Sequence, residues 1–96
     1  MLGEIVAKHP VVLVDFYADW CEPCKWLDPI LKELPGKLGQ DIFIQKVNID
    51  EHVALSASYD IKSVPVLMLF VDGESVWRMN GFLYAKELAE KIKEYI

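Results

Sequence analysis

The sequence is poor in the residues that cross-link small proteins through disulfides or metal ions. It contains only two cysteines and two histidines. Two cysteines are too few for the disulfide framework of a small secreted scaffold. A four-ligand zinc site would need a second ligand pair, but His9 and His52 are isolated and lack ligand spacing. No metal site is therefore predicted within one chain, although a cluster shared between two chains stays a rival interpretation.

The sequence also lacks long apolar runs and an excess of basic residues. Its longest apolar run, Val66–Val71, has six residues, whereas a transmembrane helix needs roughly 18 or more. Ten basic residues stand against fifteen acidic ones, a net charge of -5, which argues against partners such as nucleic acid or anionic membranes. No basic stretch precedes an apolar one near the start, where Glu4 intervenes. We expect a cytoplasmic protein, unless a signal has been removed from the sequence.

Length and hydrophobic content predict one compact domain. The 96 residues are 53% hydrophobic and 11% aromatic, which is more than a disordered chain carries. A chain this short cannot build two cores that would each be stable alone. We therefore expect a single domain over residues 1–96, present as a monomer.

The first half of the chain alternates between strand and helix patterns. Val11–Tyr17 is apolar at nearly every position, which is typical of a strand covered on both faces. A helix is predicted to begin at Glu22 and to end at Pro35–Gly36. This end falls in a loop that is predicted over Leu34–Asp41. Its apolar residues recur with the helical period at Leu27, Ile30, Leu31 and Leu34. A second strand is predicted over Ile42–Ile49.

The second half predicts a short helix, a β-hairpin and a terminal helix. The short helix covers Glu51–Tyr59, with Val53, Ala54 and Ala57 turned inward. Asp72-Gly73 supplies the positive φ angles of a tight turn between strands over Val66–Val71 and Ser75–Asn80. The terminal helix is amphipathic, with an inward face made of Ala85, Leu88, Ala89, Ile92, Tyr95 and Ile96. This order of elements predicts an α/β fold, a mixed sheet of about four strands with helices on both faces.

The two cysteines are spaced Cys-x-x-Cys where the buried strand gives way to the first long helix. A thiol at a helix N-terminus faces unpaired backbone N–H groups and the positive end of the helix dipole, which favour its thiolate. Cys21 is therefore the predicted attacking sulfur. Residues three apart on a helix lie within disulfide reach, so Cys24 is the predicted resolving sulfur. Pro23 suits the first turn, where its missing N–H costs no hydrogen bond.

At these residues the chain resembles the thioredoxin family. The similarity runs from about Val11 to the C-terminus, through VDFYADWCEPCK, KVNID, SVPVLMLFVDGE and the Gly81 step before the last helix. The resemblance implies a thioredoxin fold and an enzyme that reduces, forms or rearranges disulfides in other proteins. It implies no cofactor beyond the redox-active Cys21–Cys24 disulfide. It also implies an NADPH-dependent flavoprotein, a thioredoxin reductase, that recharges the pair.

Asp15 and Lys46 are candidate proton-transfer residues. Asp15 is a carboxylate inside an apolar strand, where desolvation should raise its pKa. The alternative is a carboxylate held in a purely structural hydrogen bond. The resemblance implies that Asp15 lies behind the second cysteine as a proton acceptor, with Lys46 nearby. Taken alone, Lys46 would be a solvated strand residue.

The resemblance also implies a substrate groove beside the disulfide. X–Pro bonds are mostly trans, but the family carries a cis-proline at the position of Pro65 and pairs the backbone before it with an extended substrate. Trp26 lies off the apolar stripe of its helix and is given no role. The predicted substrate-binding residues are Trp20, Glu22, Pro23, Val64, Pro65 and Gly81.

The chain departs from the family pattern in three ways, one of which is Tyr17 in place of the family's usual tryptophan. Only ten residues precede the first predicted strand, so we expect the family's extra N-terminal strand to be missing and a short helix to lie at Leu2–Lys8. Glu22 replaces the glycine of the thioredoxin motif. Disulfide isomerases and strong oxidants usually carry a histidine just before the second cysteine, whereas Pro23 favours a reductant.

Three functions therefore compete. The first is a thiol–disulfide oxidoreductase that reduces protein disulfides through Cys21 and Cys24. The second is a thioredoxin-fold binding module without turnover, which would not need the proton chemistry of Asp15. The third is an oxidase or isomerase in an oxidising compartment. The presence of both cysteines with Asp15 and Pro65 favours an enzyme.

Overall fold

A computed structural model describes residues 2–96. Its strands are β1 (Val11–Tyr17), β2 (Phe43–Asn48), β3 (Val66–Val71) and β4 (Glu74–Asn80). Its helices are α1 (Leu2–Lys8), α2 (Glu22–Leu38), α3 (Val53–Ser58) and α4 (Ala85–Lys93). None of the helices that residues 2–96 form has the length and apolarity to cross a membrane.

The strands form one mixed sheet in the order β2-β1-β3-β4. Strand β1 runs parallel to β2 and antiparallel to β3, and β3 pairs antiparallel with β4. Helices α2 and α4 pack on one face, while α1 and α3 pack on the other. The expected four-stranded mixed sheet with helices on both faces is confirmed.

Strand β1 sends alternate side chains to the two faces of the sheet. Val11 and Leu13 belong to the core under α2 and α4, and Val12 and Val14 belong to the core under α1 and α3. Because strand residues alternate with a period of two, Asp15 shares the face of Leu13. The one carboxylate of this strand therefore lies on the side of the sheet that α2 covers.

Helix α2 is longer than its sequence predicts. It continues through Pro35 and Gly36 to Leu38, and Gly39 ends it in the left-handed conformation with a φ of 69°. The prediction of a stop at Pro35–Gly36 and of a loop over Leu34–Asp41 was wrong. Leu38 lies one turn beyond Leu34 on the buried face, so packing of this extra turn outweighs the poor helix propensity of proline and glycine.

The inward face of α3 also differs from the prediction. Val53, Ala54 and Ala57 are exposed, with 66% of the surface of Val53 open to solvent. Leu55 and Tyr59 pack on the core instead. These two residues are four apart and bury more apolar surface than valine and alanine can. Ser56 lies between them and is buried, with its hydroxyl donating to the carbonyl of His52 at 2.8 Å.

The C-terminal half follows the prediction more closely. Asp72 and Gly73 have positive φ angles of 50° and 85° and connect β3 to β4, which confirms the predicted hairpin. Helix α4 buries the predicted face from Ala85 to Ile92. It ends at Lys93, however, so Tyr95 and Ile96 are exposed rather than turned inward.

Two glycines of α2 provide a matched test of its C-terminal end. A β-carbon would meet nothing within 4 Å at Gly36 or at Gly39, but only Gly39 has a positive φ. Gly36→Ala should raise the free energy of unfolding by about 0.5–1 kcal/mol, because alanine loses less backbone entropy in a helix. Gly39→Ala should lower it by about 1 kcal/mol, because alanine disfavours the left-handed region. Urea denaturation measures both changes. Destabilisation by Gly36→Ala would contradict a helix that continues through this position.

Candidate active site

Cys21 and Cys24 form a disulfide at the N-terminus of α2. Their Cα atoms lie 5.3 Å apart, and both residues are almost completely buried. Cys21 is the N-cap residue, in extended conformation, and its Sγ accepts a hydrogen bond from the backbone N–H of Cys24 at 3.3 Å. The predicted closeness of the two sulfurs is confirmed.

The local chain path explains why Cys21 occupies the cap. After β1 ends, the N–H of Cys21 donates to the carbonyl of Ala18 at 3.2 Å, which turns the chain toward α2. Pro23 lies in the first turn of the helix, where an N–H has no intrahelical acceptor. The Cys21 sulfur therefore sits where free N–H groups and the helix dipole favour a negative charge.

The segment before β3 packs directly on the disulfide. Val64 contacts the cluster formed by Ala18, Cys21 and Cys24. The Val64–Pro65 peptide bond is cis, as the resemblance implied. The carbonyl of Pro65 accepts a hydrogen bond from the N–H of Gly81 at 2.8 Å. These contacts bring Val64, Pro65 and Gly81 to one side of the disulfide.

Trp20 contacts the segment that follows β2. It is 68% exposed, and its Nε1 donates to Oδ2 of Asp50 at 2.9 Å. The N–H of Asp50 in turn donates to Oδ1 of the buried Asn48 at 2.9 Å. Sequence reasoning assigned no role to Asn48 or Asp50, although both lie in the KVNID segment that carries the resemblance.

Glu22 has a partner that the sequence reasoning did not consider. Its carboxylate pairs with Nζ of Lys25 at 3.1 Å, and both side chains are well exposed. The spacing of three residues on a helix is the signal that could have identified Lys25. The charge of Glu22 near Cys21 is therefore partly balanced by a cation on the next turn.

Asp15 is completely buried and has no hydrogen-bond partner among residues 2–96. The alternative of a structural hydrogen bond within that range is therefore wrong. Burial raises the pKa of Asp15 from 3.8 to about 6, while the positive charge of Lys46 opposes the rise and the charge of Asp28 adds to it. Such a carboxyl group can exchange a proton close to neutral pH.

Lys46 lies beside Asp15 in the β1–β2 register. Its Nζ pairs with Oδ1 of Asp28 at 2.8 Å and lies 4.5 Å from the centre of the Tyr17 ring. Burial by itself would lower the pKa of Lys46, but the hydrogen bond and charge of Asp28 raise it. Asp28 was missed by sequence reasoning, although it lies one helical turn after Cys24.

A small open crevice lies beside the Lys46–Asp28 ion pair. Its volume is about 130 Å³, and its walls include Cys24, Asp28, Lys46 and Tyr17. It lies between α2 and β2. Cys24 therefore shares a solvent-connected space with the ion pair that neighbours Asp15.

Comparison with known proteins adds evidence at the level of the whole chain. The family model described as Thioredoxin matches residues 2–94. A thioredoxin-like protein of Synechocystis is 39% identical over 95 residues, which are 98% of this chain and 90% of that protein. A thioredoxin of Staphylococcus epidermidis is 41% identical over 86 residues, covering 90% of this chain and 83% of the relative.

Solved structures give the same result. A thioredoxin variant from Halobacterium salinarum superposes with a TM-score of 0.88 at 38% identity, covering 98% of this chain and 81% of the other. Oxidised mitochondrial thioredoxin 3 from Saccharomyces cerevisiae superposes with a TM-score of 0.85 at 26% identity, covering 97% of this chain and 86% of the other. The similarity therefore extends over the sheet and both helical layers.

The burial of Asp15 predicts a pH-dependent gain in stability on substitution. Because its pKa is raised in the folded state, ionisation of Asp15 destabilises the oxidised protein as pH rises from about 4 through about 6. Asp15→Asn removes that cost. The free energy of unfolding of the variant minus that of the parent should increase by up to ~3 kcal/mol between about pH 4 and about pH 8. The first pH is close to the ordinary pKa of aspartate, and the second lies above the raised pKa of Asp15.

Urea denaturation of oxidised protein at both pH values measures this change. Asp41→Asn, which removes an exposed carboxylate, controls for the change in net charge. A fixed offset between Asp15→Asn and the parent at every pH would show that Asp15 titrates alike in the folded and unfolded chains.

Proposed function

The chain belongs to the thioredoxin family, and we propose that Cys21 is the sulfur with which it attacks disulfides and Cys24 the sulfur that resolves the product. Family membership and the Cys21–Cys24 pair make the protein a thiol–disulfide oxidoreductase that reduces protein disulfides. The observation that carries the assignment of roles is the N-cap position of Cys21. The helix terminus stabilises its thiolate, which is the nucleophilic form.

The reaction is two successive exchanges. The Cys21 thiolate attacks one sulfur of a substrate disulfide, which forms a mixed disulfide and releases the other substrate sulfur as a thiolate. The Cys24 thiolate then attacks Cys21, which releases the second substrate sulfur and closes the Cys21–Cys24 disulfide. Two electrons pass from the protein to the substrate, and each released thiolate takes up a proton.

Asp15 is our candidate acceptor for the proton of Cys24. Its burial on the α2 face and its raised pKa support this role. Because no buried donor among residues 2–96 occupies its oxygens, the carboxylate is free to take up a proton. Lys46 is a positioning residue in this proposal, since its charge lowers the pKa of Asp15 and its ion pair with Asp28 lines the crevice at Cys24.

The substrate groove is assigned to the surface around the disulfide. Val64 and Pro65 would present backbone to an extended substrate segment by strand addition. Trp20 would cover the segment from the β2 side and Gly81 would border it from the β4 side. Glu22 and Pro23 lie on the helix turn between the two sulfurs and would contact the same segment.

The substrates, the electron donor and the location of the protein are also proposed from its membership of the thioredoxin family. We propose that disulfide-containing proteins are the substrates and that an NADPH-dependent thioredoxin reductase returns electrons to Cys21–Cys24. The pair would need no additional cofactor. We propose a monomer of one domain that works in the cytoplasm, neither with nucleic acid nor at a membrane.

The two sulfur roles are separated by serine substitutions. Cys21→Ser should abolish reduction of a protein disulfide such as insulin. Cys24→Ser should accumulate a covalent mixed disulfide with the substrate, because attack survives and resolution does not. Intact-mass spectrometry detects the adduct. An adduct with Cys21→Ser and none with Cys24→Ser would mean that the roles are reversed.

The Glu22–Lys25 pair predicts opposite shifts of the reduction potential. The carboxylate of Glu22 opposes the Cys21 thiolate, so Glu22→Gln should lower the pKa of Cys21 and make the potential more oxidising. An exposed charge is worth no more than about 1 kcal/mol, which corresponds to roughly 20 mV for two electrons. Lys25→Gln should shift the potential in the reducing direction.

Equilibration with glutathione measures each potential, and the double variant should return close to the parent value. Both single shifts should shrink at high salt because exposed charges are screened. A potential that stays fixed in Glu22→Gln, or becomes more reducing, would show that this charge does not tune the site.

A further inference from the structure

Arg78 connects the edge of the sheet to the C-terminal end of α3. It is the single arginine of the sequence and lies on the edge strand β4, opposite Met68 of β3. Met68 belongs to the core under α1 and α3, and opposite residues of paired strands share a face, so Arg78 lies on that side of the sheet. Its guanidinium donates to the carbonyl of Tyr59 and, at 2.9 Å, to the carbonyl of Asp60.

The turn that ends α3 leaves both of these carbonyls open. Asp60 has a positive φ of 57°, and the N–H of Ile61 donates back to the carbonyl of Ser56 at 3.0 Å, as in a Schellman motif. Within residues 2–96, the hydrogen bonds to the carbonyls of Tyr59 and Asp60 come from Arg78 alone. A planar guanidinium can hold two acceptors at once, which a single ammonium group does less well.

Residues 61–65 connect this turn to β3 and include the backbone assigned above to substrate pairing. Val64 packs on the cluster that contains the disulfide. No backbone hydrogen bond joins Lys62, Ser63 or Val64 to any other part of residues 2–96. The path of this segment is therefore set by the packing of Val64 and by the anchors at its two ends.

Strand β4 and the residue that follows it hold both ends of the segment. Arg78 binds the two carbonyls that precede it. Gly81, three residues later in the chain, donates its N–H to the carbonyl of Pro65 at 2.8 Å. Both anchors thus belong to one short stretch of chain, which fixes the segment relative to the sheet.

We propose that Arg78 is a positioning residue for the reduction of protein disulfides, holding residues 61–64 in the path that pairs with an extended substrate. This inference rests on the function proposed above, in which the backbone at Val64 and Pro65 binds the substrate. Without the guanidinium, the segment keeps its anchor at Pro65 and loses the one at Asp60. Binding of a protein substrate should then weaken, because the segment has to be ordered when the substrate binds.

Two disulfides of different kinds test the proposal. Insulin has a backbone that can pair with the segment, whereas hydroxyethyl disulfide has no peptide group. Arg78→Met removes both hydrogen bonds of the guanidinium. With dithiothreitol as electron donor, the KM for insulin should rise roughly fivefold or more at an unchanged kcat, which is within the range of coupling from residues outside a binding site. The rate constant for reaction of the reduced variant with hydroxyethyl disulfide should stay at the parent value.

Two further variants separate the geometry of the guanidinium from its charge. Arg78→Lys keeps the cation but not the planar fork, so its KM for insulin should also rise. Lys93→Met removes an exposed cation at the end of α4 and should keep the parent KM. An unchanged KM in either Arg78 variant, a matching rise in Lys93→Met, or an equal loss of rate with both disulfides would overturn the proposal. Failure of the parent protein to reduce insulin would count instead against the proposed reductase function.

Discussion

The burial of β1 on both faces is the constraint on which the site depends. The strand lies between β2 and β3 and is covered by helices on each side. Its end fixes the turn at Ala18 and so places Cys21 at the cap of α2. Its interior encloses Asp15, whose carboxylate is removed from water on the side of the sheet that carries the cysteines. One buried strand thus determines both the position of Cys21 and the acidity of Asp15.

Two electrostatic effects of opposite sign act on Cys21 at the end of α2 and on Asp15 in β1. The N-terminus of α2 stabilises negative charge on Cys21, whereas burial destabilises negative charge on Asp15. The helix end lowers the pKa of a thiol and burial raises that of a carboxyl group, so the two acidities move closer together, toward neutral pH. Lys46 moderates the second effect, because its cation offsets part of the desolvation of Asp15 while its ion pair with Asp28 holds it in place.

The features that could be predicted from the sequence are those that short-range patterns and the family motif encode. The apolar run of β1, the Cys-x-x-Cys spacing and the Asp72-Gly73 turn each have a local physical cause, and each is confirmed. The predicted end of α2 was wrong, because packing of Leu38 outweighs the low helix propensities of Pro35 and Gly36. The Trp20–Asp50 hydrogen bond and the Lys46–Asp28 ion pair join residues 30 and 18 positions apart. Pairings over such separations follow from the folded topology, which periodicity alone does not encode.

The acidity of Asp15 is the point at which this account is tested most directly. Carbon-13 NMR of the oxidised protein, with aspartate side-chain carboxyl groups labelled and Asp15→Asn used for assignment, follows the ionisation of this residue alone. We predict a titration midpoint at a pKa of about 6. A midpoint at the ordinary aspartate value of 3.8 would contradict the account, because it would mean that the buried strand does not hold this carboxylate away from water.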